Sequence, residues 1–186
     1  MQVLANDRVI FLLKTSVEFF DGFFDVGHGA FIDAFVVVAD FFIQTVDTHE
    51  ADLIELSDQI WAWAETALAE NNSAKALADY AETQGFTVER GVAEMPTAFI
   101  ASYGSGEPII GILGEFDALP GISQKASPVK EPLQEGAAGH GCGHNLFGVG
   151  SLAAAIAVKE LVPGAQVFAC EPENFDDYGR SLAAGA

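Results

Sequence analysis

An apolar run passes directly into an acidic loop at Ile109-Ile110-Gly111-Ile112-Leu113-Gly114-Glu115-Phe116-Asp117-Ala118-Leu119-Pro120-Gly121. A second loop, Gly139-His140-Gly141-Cys142-Gly143-His144-Asn145, comes directly before a run of small residues with helical character. Strand ends and helix starts are where α/β proteins place their ligands. The two loops therefore predict an α/β domain whose ligand site lies between a sheet and a helix.

The sequence around these loops predicts helices packed on a mixed sheet. Apolar residues at helical spacing predict a helix over residues 51–69, with Thr48 as its N-cap. A second helix is expected to have Asn72 or Ser73 as its N-cap and to end at Gly85. The remaining predicted elements are strands over residues 86–89, 98–103, 109–113 and 166–170, and helices over 145–161 and 176–184.

Cys142 and His144 stand two positions apart with glycines between and around them, so their side chains can turn toward one cation. A thiolate and an imidazole together suit zinc or a similar transition metal. Glu115 and Asp117 could complete such a site or orient its ligands from the preceding loop. A Cys-x-His pair is a weak signal by itself, and glycines at a helix start also occur where they only allow close packing. The residues alone leave both interpretations open.

Five stretches of residues 52–162 carry a resemblance, namely Asp58-Gln59-Ile60-Trp61, Gly85-Phe86-Thr87-Val88, Ala98-Phe99-Ile100-Ala101-Ser102, Leu113 to Gly121, and Gly139 to Leu146. Together they resemble the start of the catalytic domain of the aminoacylase/carboxypeptidase-G-type metallopeptidase family. Within that family, the sequence most resembles the branch of amidohydrolases similar to a p-aminobenzoyl-glutamate hydrolase subunit. The resemblance implies the N-terminal part of a zinc-exopeptidase-like catalytic domain.

The resemblance also implies a chemistry, the hydrolysis of amide bonds in N-acyl amino acids at a site with one or two metal ions. By position, Cys142 and His144 match metal ligands of that branch, and Asp117 matches the acidic residue beside the metal. The implied cofactor is a divalent metal, zinc or manganese, which would activate a water molecule for attack on the amide. No residue is assigned as catalytic on this basis.

The C-terminal segment departs from the family pattern, which has a Glu-Glu pair after the next strand, later histidines and a dimerisation domain. A continuous alignment places Glu173 at the position of the general base and Asn174 at that of a ligand. Residues 163–186 also resemble, weakly, a segment of the pyridoxal-phosphate-dependent serine/threonine dehydratases. The later histidines and the dimerisation domain have no counterpart in this sequence.

These patterns divide the chain into a Phe- and Asp-rich segment of unknown role over residues 1–48, a partial amidohydrolase domain over 49–162, and a tail over 163–186. Two functional hypotheses stay open. The first is a metal-dependent amidohydrolase of the N-acyl amino acid or aminobenzoyl-glutamate type. The second is a catalytically inactive fragment or chimera of that family, with at most a partial metal site. A pyridoxal-phosphate lyase would depend on the tail alone.

Charge and composition exclude some partners. The formal charge of −19, from 27 acidic against 8 basic residues, repels phosphate backbones and anionic lipid, so no nucleic acid and no membrane is expected as a partner. Two cysteines are too few for a disulfide scaffold. Asp33 and Asp40 interrupt the most apolar stretch, which disfavours a spanning helix. The sequence is therefore expected to be cytoplasmic, with a small N-acyl amino acid as its partner if it is active.

Overall fold

The computed structural model describes residues 28–162 and 165–170. The predictions for Glu173, for Asn174 and for a helix over residues 176–184 lie outside the described residues. The division of the chain into three segments also stays a prediction. None of the described helices has both the length and the apolar character needed to cross a bilayer.

The described residues form helices and strands close to those expected from the sequence. In chain order they are α1 (His28–Thr48), α2 (Glu50–Trp63), α3 (Asn71–Thr83), β1 (Thr87–Arg90), a short 3₁₀ turn (Val92–Glu94), β2 (Phe99–Tyr103), β3 (Gly106–Leu113), α4 (His144–Leu161) and β4 (Ala165–Cys170).

The four strands make one mixed sheet with the order β1-β2-β4-β3. The β1/β2 and β2/β4 pairs are antiparallel, and β3 runs parallel to β4. A parallel pair needs a crossover connection, which here consists of residues 114–143 and helix α4. In the β3/β4 register Leu113 lies opposite Cys170. The acidic loop therefore leaves the sheet at the end of a strand, as the sequence predicts.

Helices α3 and α4 contact the sheet, and α2 packs against both of them. The core between these layers contains Ile60, Leu77, Ile156 and Val167, all almost fully buried. Helix α1 lies against α4, where the Thr45 hydroxyl donates to Glu160 Oε2 at 3.3 Å. The prediction of helices packed on a mixed sheet is confirmed.

Helix α2 differs most from its predicted bounds. It ends at Trp63, where Ala64 adopts the left-handed conformation with φ of 45°, and not at residue 69. Thr48 does not cap it, because its hydroxyl donates to Gln44 O at 2.8 Å in the preceding helix. The residues after Trp63 bond to the acidic loop instead of continuing the helix. Glu65 O accepts the Ala118 N–H at 2.7 Å.

Glu65 also caps helix α3. Its carboxylate accepts the backbone N–H groups of Asn72 at 3.0 Å and Ser73 at 2.9 Å, together with both of their side chains. Asn72 and Ser73, which are expected from the sequence to cap the helix, instead lie in its first turn and donate to an acceptor outside it. Burial raises the pKa of Glu65, but these hydrogen bonds outweigh the effect and hold its pKa below the ordinary value.

Replacing Glu65 by glutamine should lower the free energy of unfolding by about 1 kcal/mol at neutral pH, since the charged cap is lost. A depressed folded-state pKa stabilises the fold above the unfolded-state pKa, and the effect is lost as the pH falls through the folded-state value. The difference between parent and variant should therefore shrink in acid. Urea denaturation from pH 7 to pH 3 measures it, with Glu107→Gln in an exposed strand position as the control. A difference that does not change with pH would contradict this role.

Candidate metal centre

Two partly buried acidic side chains stand at the end of β3, on either side of a buried phenylalanine. Phe116 is 1% exposed and belongs to the hydrophobic core. Its neighbours Glu115 and Asp117 keep 26% and 16% of their side-chain surface. The core thus fixes the loop through Phe116, while both carboxylates remain reachable from solvent.

The glycine-rich loop is held beside this acidic loop by a backbone bridge. Leu119 and Gly139 exchange two N–H···O bonds of 3.0 Å. Gly143 then adopts a φ of +85°, which glycine tolerates without a steric penalty. Helix α4 begins at the next residue, His144. The turn at Gly143 therefore orients the side chain of His144, the first residue of α4.

The imidazole of His144 lies between the two carboxylates. Its Nδ1 is 2.5 Å from Asp117 Oδ1, and its Nε2 is 3.1 Å from Glu115 Oε2. One ligand atom from each of the three residues falls within 4.8 Å of the others, and all three side chains are partly buried. Residues from a strand end and from a helix start thus converge, as expected from the two loops.

This donor set fits a divalent cation. Two carboxylates brought close together repel each other, and a cation between them removes that repulsion. Carboxylate and imidazole ligands are both used by zinc, and manganese accepts carboxylates readily. Exposed acidic groups are common without a metal, but here an imidazole is in contact with both acids at once.

Cys142 lies on the exposed part of the same loop as a free cysteine. It is not among the residues whose ligand atoms lie within 4.8 Å of one another. The structure thus brings His144 together with Asp117, which the resemblance implies, and with Glu115, which is a candidate from the sequence without an assigned role. The ligand roles of Cys142 and His144, and the supporting role of Asp117, stay predictions.

Helix α2 holds both flanks of the glycine-rich loop. On one side His140 Nε2 lies 3.1 Å from Ile60 O, and on the other Asn145 Nδ2 donates to Ser57 Oγ at 3.1 Å. Burial lowers the pKa of His140, which favours the neutral ring that donates from Nε2. The buried Nδ1 of His140 has no hydrogen-bond partner among the described residues. His140 therefore anchors the loop and is not part of the three-residue cluster.

The sequence is similar to those of two curated proteins over part of its length. It is 50% identical to a p-aminobenzoyl-glutamate hydrolase subunit of Escherichia coli over 118 residues, which is 61% of this chain and 24% of that protein. It is 30% identical to human Xaa-Arg dipeptidase over 134 residues, or 65% of this chain and 27% of that protein. The chain thus spans about a quarter of the length of these relatives. No family model matches it.

Two crystal structures show the same fold. One is a protein of methicillin-resistant Staphylococcus aureus assigned as an aminohydrolase, with a TM-score of 0.58 and 23% identity over 71% of this chain and 34% of that chain. The other is a dinuclear metal-binding peptidase of the M20 family from Bacillus subtilis, with a TM-score of 0.54 and 21% identity over 75% of this chain and 40% of that chain. Over the matching segment the chain is therefore a relative of the E. coli p-aminobenzoyl-glutamate hydrolase subunit, with the fold of an M20 peptidase domain.

Proposed function

We propose that this chain carries the metal-binding segment of a metal-dependent amidohydrolase that acts on N-acyl amino acids of the aminobenzoyl-glutamate type. The observation that supports the proposal most strongly is the contact of His144 with both Glu115 and Asp117. The substrate class is suggested by the E. coli relative, which is 50% identical over the aligned segment.

Glu115, Asp117 and His144 would hold the metal, and Cys142, two residues before His144, would offer a thiolate from the same loop. A divalent cation bound there supplies Lewis-acid polarisation of the amide carbonyl and of water. A ligating histidine binds the ion through one ring nitrogen and donates the other N–H to an acidic partner, so with an ion bound only one of the two carboxylate contacts of His144 would remain to orient the ring. Phe116 and the Leu119–Gly139 bridge keep the two loops in place while the ligands act.

The second candidate is a metal-binding protein of the same ancestry that does not hydrolyse amides. It is favoured by the described residues, in which a metal-ligand cluster is present but no side chain has been assigned as a general base. Among the described residues, Glu115, Asp117 and His144 are the one group of three His, Cys, Asp or Glu side chains close enough to share an ion. Removal of a ligand or base from an enzyme of this kind costs orders of magnitude in rate.

One experiment separates the candidates. The purified chain is dialysed against zinc or manganese, its metal content is measured by inductively coupled plasma mass spectrometry, and p-aminobenzoyl-glutamate is then offered as substrate. We expect about one ion per chain, since one cluster of three ligating side chains binds one ion and leaves a position open for water. Metal binding with hydrolysis supports the amidohydrolase, and metal binding without it supports the second candidate. A chain that retains no metal contradicts both.

A further inference from the structure

A cleft of about 300 Å³ lies between helix α3 and the turn that joins β1 to β2. Ligand pockets in proteins commonly have volumes of about 300–1,000 Å³, so this one suits a single small molecule. It shares no residue with the metal-ligand cluster. This α3 cleft is lined from the helix by Ala74, Lys75 and Asp79, and from the strands and their turn by Arg90, Thr97 and Phe99.

The floor of the α3 cleft is apolar and in place before a ligand arrives. Ala98 and Phe99 line the cleft and are 5% and 6% exposed. The Gly91 N–H donates to Ala98 O at 2.8 Å, which closes the turn between the two strands. A preformed cleft avoids part of the entropic cost of binding, and its buried apolar side chains favour an apolar group on the floor.

The hydroxyl of Thr97 is a polar group of this cleft without a partner. Thr97 is 6% exposed, and its hydroxyl makes no hydrogen bond to any residue that the structure describes. The unpaired side-chain atoms that are sealed from solvent in that part of the chain belong to Glu70 and His140, so the Thr97 hydroxyl stays reachable from the cleft. An unpaired hydroxyl at a nearly buried position costs free energy. A ligand with a hydrogen-bonding atom at this point would recover that free energy.

The rim of the α3 cleft carries charges of both signs. Asp79 accepts from Lys75 Nζ and, at 2.9 Å, from Arg90 Nη2, while Arg90 Nη1 donates to Glu82 Oε1 at 2.6 Å. The hydrogen bond from Lys75 lowers the pKa of Asp79, so this carboxylate is charged at neutral pH. A guanidinium and an ammonium have more N–H donors than these bonds use, and a carboxylate has more lone pairs. Both signs of charge therefore remain available to a ligand.

A ligand with charge of only one sign fits this rim poorly. The two basic side chains are already balanced by Asp79 and Glu82, and the formal charge of −19 repels an additional anion. An additional cation would be repelled by Lys75 and Arg90. A zwitterion carries both signs a short distance apart, so each of its charged groups can meet an opposite charge at the rim.

We propose that the α3 cleft binds a free α-amino acid with an apolar side chain. The carboxylate of the ligand accepts from Arg90 and from the Thr97 hydroxyl. Its ammonium donates to Asp79, and its side chain packs on Phe99. The site is independent of the proposed function, because neither metal binding nor amide hydrolysis uses these residues.

The test follows the backbone amide signals of the full, metal-free, ¹⁵N-labelled chain by nuclear magnetic resonance during titration with L-leucine. Three matched ligands each lack one feature: isocaproate lacks the ammonium, isoamylamine lacks the carboxylate, and glycine lacks the apolar side chain. We expect saturable shifts with leucine at the residues of the α3 cleft. Each matched ligand should bind at least about tenfold more weakly, since each loses a charged hydrogen bond or the apolar contact.

Two variants examine the polar contacts. Arg90→Gln should weaken leucine binding by about tenfold or more without weakening isoamylamine binding, because it removes a partner of the carboxylate alone. Thr97→Val keeps the shape of the side chain and removes its hydroxyl, so it should weaken leucine binding by about threefold to tenfold. Thr87→Val is the matched control, since Thr87 is exposed in β1 and does not line the cleft. This control should bind leucine as the parent does.

Several results would overturn the proposal: no saturable shift with leucine, equal binding of leucine and its matched ligands, or shifts confined to the metal-ligand cluster. Leucine binding that is unchanged in both Arg90→Gln and Thr97→Val would overturn it as well. The readout needs no metal and no turnover. Failure of the α3 cleft can therefore be told apart from failure of the metal site, which the metal content measures.

Discussion

Replacement of His144 by alanine is expected to weaken zinc or manganese binding by at least about 100-fold, since the loss of a mere outer hydrogen-bonding partner already costs about 10–100-fold. His144 is the residue that contacts both acids of the cluster. Without the imidazole, Glu115 and Asp117 are left as two carboxylates with no nitrogen ligand between them. Isothermal titration calorimetry of the dialysed parent and variant measures the change.

His49→Ala is the matched control for this variant. His49 is hydrogen-bonded to the Tyr80 hydroxyl at 3.2 Å and lies outside the cluster, so its replacement should leave the metal affinity unchanged. Cys142→Ser addresses the remaining ligand assignment, because a weakened affinity would identify the thiolate as a ligand. If His144→Ala bound metal as tightly as the parent, the assignment of the site would be wrong.

Replacement of Phe116 by alanine should have the largest effect on stability, a loss of about 3–5 kcal/mol in the free energy of unfolding. Phe116 is 1% exposed and its ring lies 6.1 Å from that of Phe99 in a stacked arrangement. Truncation would leave a cavity in the core directly below the acidic loop. Urea denaturation followed by circular dichroism measures the loss.

Phe147→Ala is the control for that substitution, because the same atoms are removed from a ring that is 43% exposed. Its cost should be under about 1 kcal/mol, in the range of surface substitutions. Equal losses for the two variants would show that Phe116 does not anchor the fold. Phe116→Leu should retain most of the stability and the metal affinity, since it keeps most of the buried volume.

The sequence predicted the elements well wherever a regular apolar pattern was bounded by glycine or proline. Two predictions are confirmed: α3 ends just before Gly85, and helix α4 follows the glycine-rich loop. The early end of α2 was not predictable from the pattern, because Ala67 and its neighbours continue the helical spacing. Tertiary contacts override it, since Glu65 accepts from Ala118 and from the start of α3.

The site was predicted in part. Adjacent loops at a strand end and a helix start indicated that Asp117 and His144 would come together, and they do. Glu115 was a candidate from the sequence beside Asp117, and it contacts His144 as well, although the local sequence does not show which ring nitrogen each acid meets. Nor did any local pattern indicate that His140 would bond to Ile60 O, because that contact joins segments 80 residues apart.

Helix α2 bonds to the glycine-rich loop at His140 and at Asn145. These two contacts couple the docking of α2 to the binding of an ion by the loop. When the helix is docked, His140 and Asn145 are held at fixed points and the intervening turn has little freedom. An ion that requires this turn would bind the docked form more tightly and so shift the population toward it. A chelator should then speed amide hydrogen exchange in a helix that contributes no ligand, so the helix would report on cation occupancy at a distance.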